Sequence, residues 1–464
     1  MDRAPLLSIR TETCGTYETP SPPSPDPNET NQIVPANNSM PSIEQQNWKD
    51  PSIYKVPAHI TILRPEAYQP QVVSFGPYHH DKDQLRPMDK HKRRALQQFL
   101  DRSKKSDKPF FESLRKVEHE LKDSYDELDR KWKECTGDQF LELMIMDGCF
   151  MLEIMRTTIE EKHTIGEKHG YAPNDPVFSI DRLKYRRSFI TRDMLILENQ
   201  LPMLVLYELV AIESDNKKDQ EDVNRLILKY CSATEKKYCS ATEKKYCSGR
   251  PIGKCLHVLD VFRKGQLMMT TKKVQHDLEN VGLQATEEII RSANELHKAG
   301  IQFKTSPTGS LEDISFTGGV LRLPVIKVGD HTESMFLNLM TFERLHIGAG
   351  NAITAYVTFM DNIINSEQDV ALLHAEGIIQ NALGSDKAVA KLFNSLCEGV
   401  PLASNSSLDA VQENIGMHCE TRWNKWKAHL NRDYFGSPWA ILSLIAAIFL
   451  FILTIIQTVY AVLG

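Results

Sequence analysis

Several classes of protein are excluded by what this sequence lacks. It has no basic excess: 55 lysines and arginines stand against 61 aspartates and glutamates, for a net charge of −6, whereas nucleic-acid-binding proteins carry a basic footprint. Its nine cysteines are spread over 464 residues without the dense spacing of a small disulfide scaffold, which favours free thiols in a reducing compartment. It begins without an apolar stretch of signal-peptide length. We therefore expect no nucleic-acid partner and no entry into the secretory pathway before translation ends.

Complete catalytic and phosphate-binding motifs are also missing. The chain contains neither G-x-S-x-G nor H-E-x-x-H. The stretch "GRPIGKC", from Gly249 to Cys255, has one residue too few between its glycines for a phosphate loop, and a cysteine where the magnesium-binding hydroxyl belongs. We predict that the protein is not an enzyme and holds no cofactor or metal. The alternative is a hydrolase or transferase with an unrecognised site, in which Cys149 or Cys419 pairs with a histidine.

A histidine pair follows a Gly-Pro turn in "VSFGPYHHDKD". His79, His80 and Asp81 are residue types that ligate metals, and His91 is the nearest further candidate. No third and fourth ligand follow at a recognisable spacing, which zinc sites need. We therefore predict a turn whose imidazoles pack against the body of the protein, with metal binding as the alternative.

A polar trio, Glu198, Asn199 and Gln200, stands between two apolar halves of the chain. If these side chains are buried they need partners, because an unpaired buried polar group costs roughly 1–3 kcal/mol. We predict that they cap the ends of two helices around Pro202. The alternative is that the trio orients a ligand.

What the sequence does contain is a long apolar run near its C-terminus. No charged residue occurs in 436–464. A membrane-spanning helix needs about 20 apolar residues, because each adds about 1.5 Å across a hydrocarbon core of about 30 Å. Trp439 and Tyr460 stand near the two ends of the run, where amphipathic rings favour the membrane interface. The sequence therefore predicts one C-terminal transmembrane helix with these two residues as interface anchors.

The flanks of the run predict its orientation. Four basic residues precede it and none follows it, and positive charge favours the cytosolic side. We therefore expect a tail-anchored, single-pass protein with its N-terminal bulk in the cytosol, and we favour the plasma membrane. The basic residues are Arg422, Lys425, Lys427 and Arg432.

Three further segments are indicated. Residues 1–50 include "PSPPSPDP" and are too poor in apolar residues to offset the entropy of ordering, so we predict a disordered arm. Residues 51–435 form the predicted helical globular domain. Within it, "YCSATEKK" occurs twice in tandem and begins a third time. Its cysteines are eight residues apart and drift by about 80° on a helix, so they do not line one face. We predict an exposed loop near 212–252 that tolerates a duplication, rather than a metal site.

The predicted fold class is mainly α. Gln139–Met155 is apolar nearly all round and predicts a central core helix, interrupted at Asp147 and Gly148. Thr191–Val210 predicts two helical pieces, with Pro202 in the first turn of the second. Further helix signals come from Val389, Leu392, Phe393 and Leu396 on one face, from capping-box spacing at Asp330–Glu333 and Ser366–Asp369, and from Val411, Ile415, Cys419, Trp426 and Leu430.

One stretch indicates strands. Short apolar runs flank Gly318 and Gly319 in "LEDISFTGGVLRLPVIKV", which is a hairpin signal. Pro324 cannot donate a backbone hydrogen bond, so we predict that it confines the second strand to a sheet edge. The expected architecture is a large helical body with a small antiparallel hairpin or sheet.

Several blocks of the sequence together resemble a plant family catalogued as domain of unknown function 247. The likeness runs from Val72 to Tyr460, and the blocks that carry it are specific in combination. They are "VSFGPYHH" up to His80, "DGCFMLEI" from Asp147, "DMLILENQLP" from Asp193, "TESMFLNLMTFE" from Thr332, the stretch "FMDNIINSEQDVALLHAEGIIQNALGSDKAVAKLFNSLC" from Phe359, and the segment "HCETRWNKWKAHLNRDYFGSPWAILSLIAA" from His418.

The resemblance implies a plant membrane protein with one C-terminal span, a largely helical body and no established enzymatic activity. Some grass members of the family are associated with self-incompatibility, which suggests recognition. We therefore expect a membrane-anchored interaction or signalling protein, with the lipid bilayer and unidentified proteins as partners. A membrane-bound hydrolase or transferase using a cysteine or histidine is the alternative function.

Overall fold

The computed structural model describes residues 51–134, 138–159, 170–172, 174–235, 251–268, 291–399, 408–420 and 438–463. The described residues belong to one compact unit, Lys49–Gly464, and the arm predicted over 1–50 lies outside the described residues. This unit is mainly helical, as predicted, with a small mixed sheet.

Seventeen α-helices occur in the described residues, together with two short 3₁₀ turns at Pro65–Tyr68 and Arg86–Met88. The helices are α1 Ala58–Thr61, α2 Asp89–Ser103, α3 Lys108–Lys116, α4 Glu118–Asp123, α5 Arg130–Lys133, α6 Gln139–Ile159, α7 Ile180–Met194, α8 Met203–Glu213, α9 Gln220–Glu235, α10 Val258–Leu267, α11 Ala293–Lys298, α12 Thr332–Leu345, α13 Ala352–Ile363, α14 Glu367–Ala375, α15 Asp386–Leu396, α16 Asp409–Glu420 and α17 Pro438–Leu463.

Helix α6 is the centre of the core, as its all-round apolar sequence predicts. It packs against α2, α3, α8 and α9 and is buried along almost its whole length. The predicted interruption at Asp147 and Gly148 is wrong, because the helix continues through both. A Cβ on Gly148 would lie 2.6 Å from Leu209 Cδ1, so the glycine lets α8 approach closely, and Asp147 finds a buried partner described below.

The connection between α7 and α8 follows the predicted two-piece pattern. Helix α7 ends at Met194 and α8 begins at Met203, with Pro202 as its N-cap in an extended conformation. The proline therefore stands one position before the predicted first turn. Its missing N–H is harmless there, because the amides at a helix start have no helical partner.

The predicted hairpin is confirmed, but its place in the sheet is not. Strands β2 (Ser315–Thr317) and β3 (Val320–Leu323) pair antiparallel around Gly318 and Gly319, and both glycines have positive φ, as a two-residue hairpin turn of this type requires. Strand β1 (Gln302–Thr305) then pairs parallel with β3, so β3 is the central strand. The edge position predicted from Pro324 is wrong because the proline follows the last ladder residue.

A second sheet was not predicted. Strands β4 (Ile326–Val328) and β5 (Ile379–Asn381) pair parallel across a long stretch of sequence. The strand content is therefore mixed rather than a single antiparallel hairpin. In both sheets the parallel pairs join strands that are far apart in the sequence. Such pairs cannot be predicted from turn residues, because parallel strands are not connected by a tight turn.

Smaller helix signals had mixed outcomes. Ser366 and Asp369 form the predicted capping box of α14, and the predicted face of α15 is buried apart from Leu392, which is partly buried. The capping box predicted at Asp330 is wrong: His331 is the N-cap of α12 without a side-chain bond. Glu333 pairs with Arg64 at 2.6 Å instead. In α16, Ile415 and Cys419 are buried, whereas Trp426 and Leu430 lie outside the described residues.

Part of the predicted loop at 212–252 is helical. Helix α9 occupies Gln220–Glu235, and Tyr230 and Cys231 at the start of the repeat are buried. The prediction missed this because the repeat begins with the last turns of an amphipathic helix. The last two residues of the first copy and all of the later copies fall within 236–250, which lies outside the described residues.

The apolar run near the C-terminus forms the 26-residue helix α17. Side chains within it are described at 442, 443 and 445–459. Among the residues described in this way, no helix has the length and apolarity needed to cross a bilayer, so the transmembrane anchor remains a prediction. The side chains of Trp439 and Tyr460 lie outside the described set, as do Arg422, Lys425, Lys427 and Arg432.

Candidate functional site

The densest group of buried polar contacts surrounds an irregular segment, Gln71–His80, which we call the clamped segment. It contains no helix or strand and much of it is buried. Its backbone N–H and C=O groups therefore cannot be satisfied by local secondary structure and need partners elsewhere. Side chains from α2, α6, the end of α7 and the loop that follows α7 supply them.

Asp193, in the last turn of α7, holds the start of the clamped segment. Its buried carboxylate accepts hydrogen bonds from the N–H groups of Gln71, Val72 and Val73 at 2.7–3.0 Å. The Arg192 guanidinium lies 3.1 Å from the same carboxylate. Burial raises the pKa of Asp193, while the three N–H donors and Arg192 act in the opposite direction. The carboxylate thus serves as a fixed acceptor for three successive backbone amides.

Asn199 holds the middle of the segment. Its Oδ1 accepts from the N–H of Phe75 at 2.7 Å, and its Nδ2 donates to the carbonyls of Val73 and Asp193 at 3.0 and 2.9 Å. The amide therefore joins the clamped segment to the last turn of α7. It also satisfies a carbonyl that the helix end leaves without an intrahelical partner.

Gln200 joins two helix ends. Its Nε2 donates to the carbonyls of Met194 and Ile196 at 2.6 and 2.7 Å, and its Oε1 accepts from the N–H of Leu259 in the first turn of α10 at 3.1 Å. Capping is therefore the role of this side chain, as predicted. One of the helices concerned is α7, which is the first of the two predicted pieces, but the other is α10 rather than α8.

Glu198 faces a different part of the chain. Its Oε1 accepts from the N–H of Val56 at 2.7 Å, and its Oε2 lies 3.3 Å from Nε2 of the buried His79. The second contact is within ion-pair distance but is not aligned as a hydrogen bond. Both ring nitrogens of His79 lack a hydrogen-bond partner within the described part of the chain.

A buried ion pair between α2 and α6 contacts the clamped segment on the side that faces the core. Lys92 of α2 and Asp147 of α6 are both fully buried, with Nζ and Oδ1 2.7 Å apart. Lys92 also donates to the carbonyl of Ser74 at 2.6 Å, and Asp147 accepts from the N–H of Gly76 at 2.9 Å. Burial raises the pKa of Asp147, and Lys92 and Gly76 oppose that rise. Both charges are thus directed at the backbone of the clamped segment.

At Gly76 the backbone of the clamped segment lies close to the Gln200 carbonyl and the Tyr125 hydroxyl. Its φ is +71°, a left-handed conformation that side-chain-bearing residues disfavour. A Cβ at this position would lie 2.7 Å from the carbonyl oxygen of Gln200 and 2.8 Å from the Tyr125 hydroxyl. That hydroxyl itself donates to the Gln200 carbonyl at 3.1 Å. Glycine is therefore required for both conformation and space.

The histidines considered as metal ligands do not converge. His80 packs edge-on against Trp132, and Nδ1 of His91 lies 2.9 Å from a nitrogen of Arg94. Asp81 is exposed and pairs with Lys131 at 2.7 Å. Across the described ranges no group of three metal-ligating side chains is close enough to hold an ion. The packed turn that the sequence predicts is the arrangement found around His80.

Three of the described cysteines are poorly suited to act as nucleophiles. Cys149 is fully buried in α6 and burial raises the pKa of its thiol well above the ordinary value. Burial likewise raises the pKa of Cys255 and Cys397 to about 12. Reactive cysteines need a lowered pKa and access to solvent. The Cys–His alternative therefore gains no support from these three thiols.

Sequence reasoning missed Lys92, although a signal was present. Met88, Ala95 and Phe99 stand four residues before, three after and seven after Lys92, and all three are buried. A lysine on such an apolar helix face is rarely fully buried unless it has a partner. Its partner Asp147 was visible as a charged residue in a helix that is otherwise apolar nearly all round. Pairing the two required knowledge of the packing between α2 and α6.

The chain belongs to the family DUF247, described as plant protein of unknown function, whose model matches residues 53–453. It is similar to UPF0481 protein At3g47200 of Arabidopsis thaliana, with 30% identity over 436 residues, covering 89% of this chain and 86% of that protein. It is also similar to Putative UPF0481 protein At3g02645 of the same plant, with 22% identity over 494 residues, covering 88% and 89% respectively. No solved structure matches the chain.

Four of the six blocks that carry the family resemblance contribute to the clamp or its surroundings. The first block forms most of the clamped segment, the second contributes Asp147, and the third contributes Asp193, Asn199 and Gln200. The fourth contributes Asn338 of α12, whose Oδ1 accepts from the N–H of Leu197 at 2.9 Å. These side chains fix backbone rather than forming an open group of catalytic residues.

Proposed function

We propose that this protein is a membrane-anchored interaction protein, held in a bilayer by α17 and binding other proteins through its folded body. One observation carries the anchor. Helix α17 has 26 residues and no charged side chain, and the large apolar side chains described between Leu442 and Val459 are 39–68% exposed. Apolar surface that stays exposed over such a length marks a membrane or protein contact. At about 1.5 Å per residue, the helix is about 39 Å long, which exceeds a hydrocarbon core of about 30 Å.

The sequence before α17 supports a cytosolic body. Arg422, Lys425, Lys427 and Arg432 precede the helix, and positive charges near a span favour the cytosolic side. The free thiols described at Cys149 and Cys397 suit a reducing compartment. Both features favour the same side of the membrane for the body.

The anchor is tested by extraction with alkaline carbonate from plant microsomes. We expect the full-length protein to remain in the membrane pellet, and the double variant Leu450→Arg, Ile452→Arg to become extractable. One arginine near the centre of a span costs about 2.5–3.5 kcal/mol, so two should prevent stable insertion. Leu450→Ala with Ile452→Ala is the matched control, since it shortens the same side chains without adding charge.

Extraction of the wild-type protein by carbonate would remove the anchor from the proposal. Equal extraction of the arginine and alanine variants would show that helix packing, rather than lipid, holds the protein in the pellet.

The proposal that the folded body binds other proteins rests on two observations: what its buried polar side chains do, and which apolar side chains it exposes. The clamp devotes the polar residues of the family blocks to rigid backbone support, as in a scaffold that presents a surface. One surface turn stands out: α1 has no buried residue, and Ile62 and Leu63 directly after it are 75% and 54% exposed. Apolar side chains that cluster on a protein surface often form the centre of an interface with another protein.

Proximity labelling from the body tests this role. We expect a defined set of neighbours for the full-length protein that shrinks in the variant Ile62→Asp, Leu63→Asp. Ile347→Asp changes another exposed apolar residue, 85% exposed, and serves as the control. An unchanged neighbour set in the double variant would show that this turn is not the contact, and a set that matches freely diffusing protein would contradict the interaction role.

A further inference from the structure

Two helix faces form a basic surface that the proposed function does not explain. On α2, Lys90, Arg93 and Arg94 are exposed and share one face by helical spacing. On α7, Arg182 is exposed and Arg186 is half-buried, and their i, i+4 spacing likewise places them on one face. We call these five residues the basic face.

The two helices are tied together at this face. Arg94 forms an ion pair with the buried Asp175. The Asp175 carboxylate also accepts from the N–H groups of Val177 and Phe178 at 2.8 and 2.9 Å, and α7 begins two residues later. Arg94 therefore links the exposed side of α2 to the segment that precedes α7. Burial lowers the pKa of the His91 imidazole on α2, and Arg94, Lys90 and Arg186 all lie close enough to lower it further. A basic residue of α7 is thus near those of α2.

Three acidic side chains on or near these helices are engaged elsewhere, whereas Asp89, the first residue of α2, is half-buried and precedes Lys90 in the chain. Asp175 is occupied as described, Asp193 is buried against the clamped segment, and Asp101 accepts from Gln97 at 2.8 Å. Within the described residues, Lys90 and Arg93 have no ion-pair partner. The chain as a whole carries a net charge of −6, so a concentration of positive charge here contrasts with the rest of the molecule.

Helix stability does not account for this placement. Lys90 is the second residue of α2 and Arg182 the third residue of α7. Cations in a first turn face the positive end of the helix dipole and are unfavourable there. An external anionic partner would turn this local disadvantage into an attraction.

We propose that the basic face docks on the anionic lipid headgroups of the membrane in which the protein is anchored. Clusters of four to eight basic residues are attracted to the negative surface of the cytosolic leaflet. Tyr185, between Arg182 and Arg186 in the chain, is 75% exposed, and tyrosine rings favour the membrane interface. The inference rests on the proposed function, because tethering by α17 raises the local lipid concentration and makes a weak electrostatic contact sufficient.

The test uses the full-length protein in lipid nanodiscs of phosphatidylcholine, with or without about 30% phosphatidylserine. Hydrogen exchange is measured in peptides covering α2 and α7. We expect slower exchange in both helices in the anionic discs, by about fivefold or more, since each basic residue at such a surface contributes about that factor to binding. The protection should disappear in about 1 M salt, where the Debye length falls to about 3 Å.

Two matched variants distinguish an effect of the basic face from an effect of the protein's net charge. The variant Lys90→Gln, Arg93→Gln, Arg186→Gln should lose the lipid-dependent protection. The control Lys218→Gln, Lys298→Gln, Arg322→Gln removes the same charge from exposed positions on other elements and should keep it. Equal loss in both variants would overturn the proposal, because the effect would then follow net charge.

The remaining outcomes are also decisive. Equal exchange in neutral and anionic discs overturns the docking while leaving the anchor intact. Protection that appears in neutral discs on addition of a polyglutamate peptide, and not with anionic lipid, would assign the basic face to an acidic protein instead. Failure of the protein to enter neutral discs at all would contradict the proposed anchor rather than the basic face.

Discussion

Replacing Asp147 by asparagine should reveal how much the clamp depends on its buried ion pair. The substitution keeps an oxygen that can accept from the N–H of Gly76 and changes the side-chain volume little. It leaves the Lys92 ammonium, which is 0% exposed, without a counter-charge. Removing one partner of a buried pair typically costs about 3–5 kcal/mol, because the remaining charge is desolvated and uncompensated.

The magnitude is large against the whole stability of a folded protein, which is commonly about 5–15 kcal/mol. We expect D147N to lower the free energy of unfolding by about 3–5 kcal/mol. Lys92→Met should also destabilise, since it removes the donor to the Ser74 carbonyl as well as the charge. The double variant should cost less than the sum of the two single variants by about 2 kcal/mol, within the usual range of coupling for contacting residues.

The assay is urea unfolding of the full-length protein in mild detergent, followed by pulse proteolysis. Asp81→Asn is the matched control, because the Asp81–Lys131 pair has the same 2.7 Å separation but is 63% and 53% exposed. Exposed pairs contribute about 0–1 kcal/mol. If D147N costs no more than D81N, or if the two core substitutions are additive, the buried pair does not hold the clamp in the way described.

Three further predictions concern single residues. Gly76→Ala should destabilise by about 2 kcal/mol more than Gly253→Ala in the same unfolding assay. Both glycines have positive φ, but a Cβ would overlap neighbouring atoms at Gly76 and meets nothing within 4 Å at Gly253. Equal costs would argue against the close approach at Gly76. His257 is buried, and burial lowers its pKa to about 4. As the pH falls below about 6.5, the imidazole takes up a proton in the unfolded chain before it does so in the folded protein, so up to about 3 kcal/mol of stability should be lost between about pH 6.5 and 4. His257→Asn should make the free energy of unfolding depend less on pH over this range. Cys149 should react with iodoacetamide in the native protein only as fast as global unfolding permits; rapid labelling would support the enzyme alternative.

Local sequence pattern determined much of the helical body. Ser366 and Asp369 formed their capping box, and the periodic residues of α15 turned one face to the core. These signals are reliable because their partners lie three or four residues away on the same helix. The hairpin at Gly318 and Gly319 was predictable for the same reason, since two residues with positive φ suffice to turn the chain.

The candidate site was predictable as a set of unusual residues but not as an arrangement. The sequence marked Glu198, Asn199 and Gln200 as polar groups that would need partners if buried. It could not show that Asn199 holds Phe75 or that Gln200 caps α10, because these contacts join residues far apart in the chain. Lys92 was overlooked among neighbouring basic residues, although its helix face is apolar.

By itself the sequence determined helices such as α14 and α15, where the hairpin turns and which run is free of charge near the C-terminus, because each depends on the residue types of neighbours along the chain. Tertiary structure alone decided that α6 continues through Asp147, that β3 is a central strand and that side chains of separate family blocks, such as Asp147 and Asn199, hold one irregular segment. A buried charge or an unpaired strand is stable only beside a partner, and packing of the whole chain determines which partner lies there.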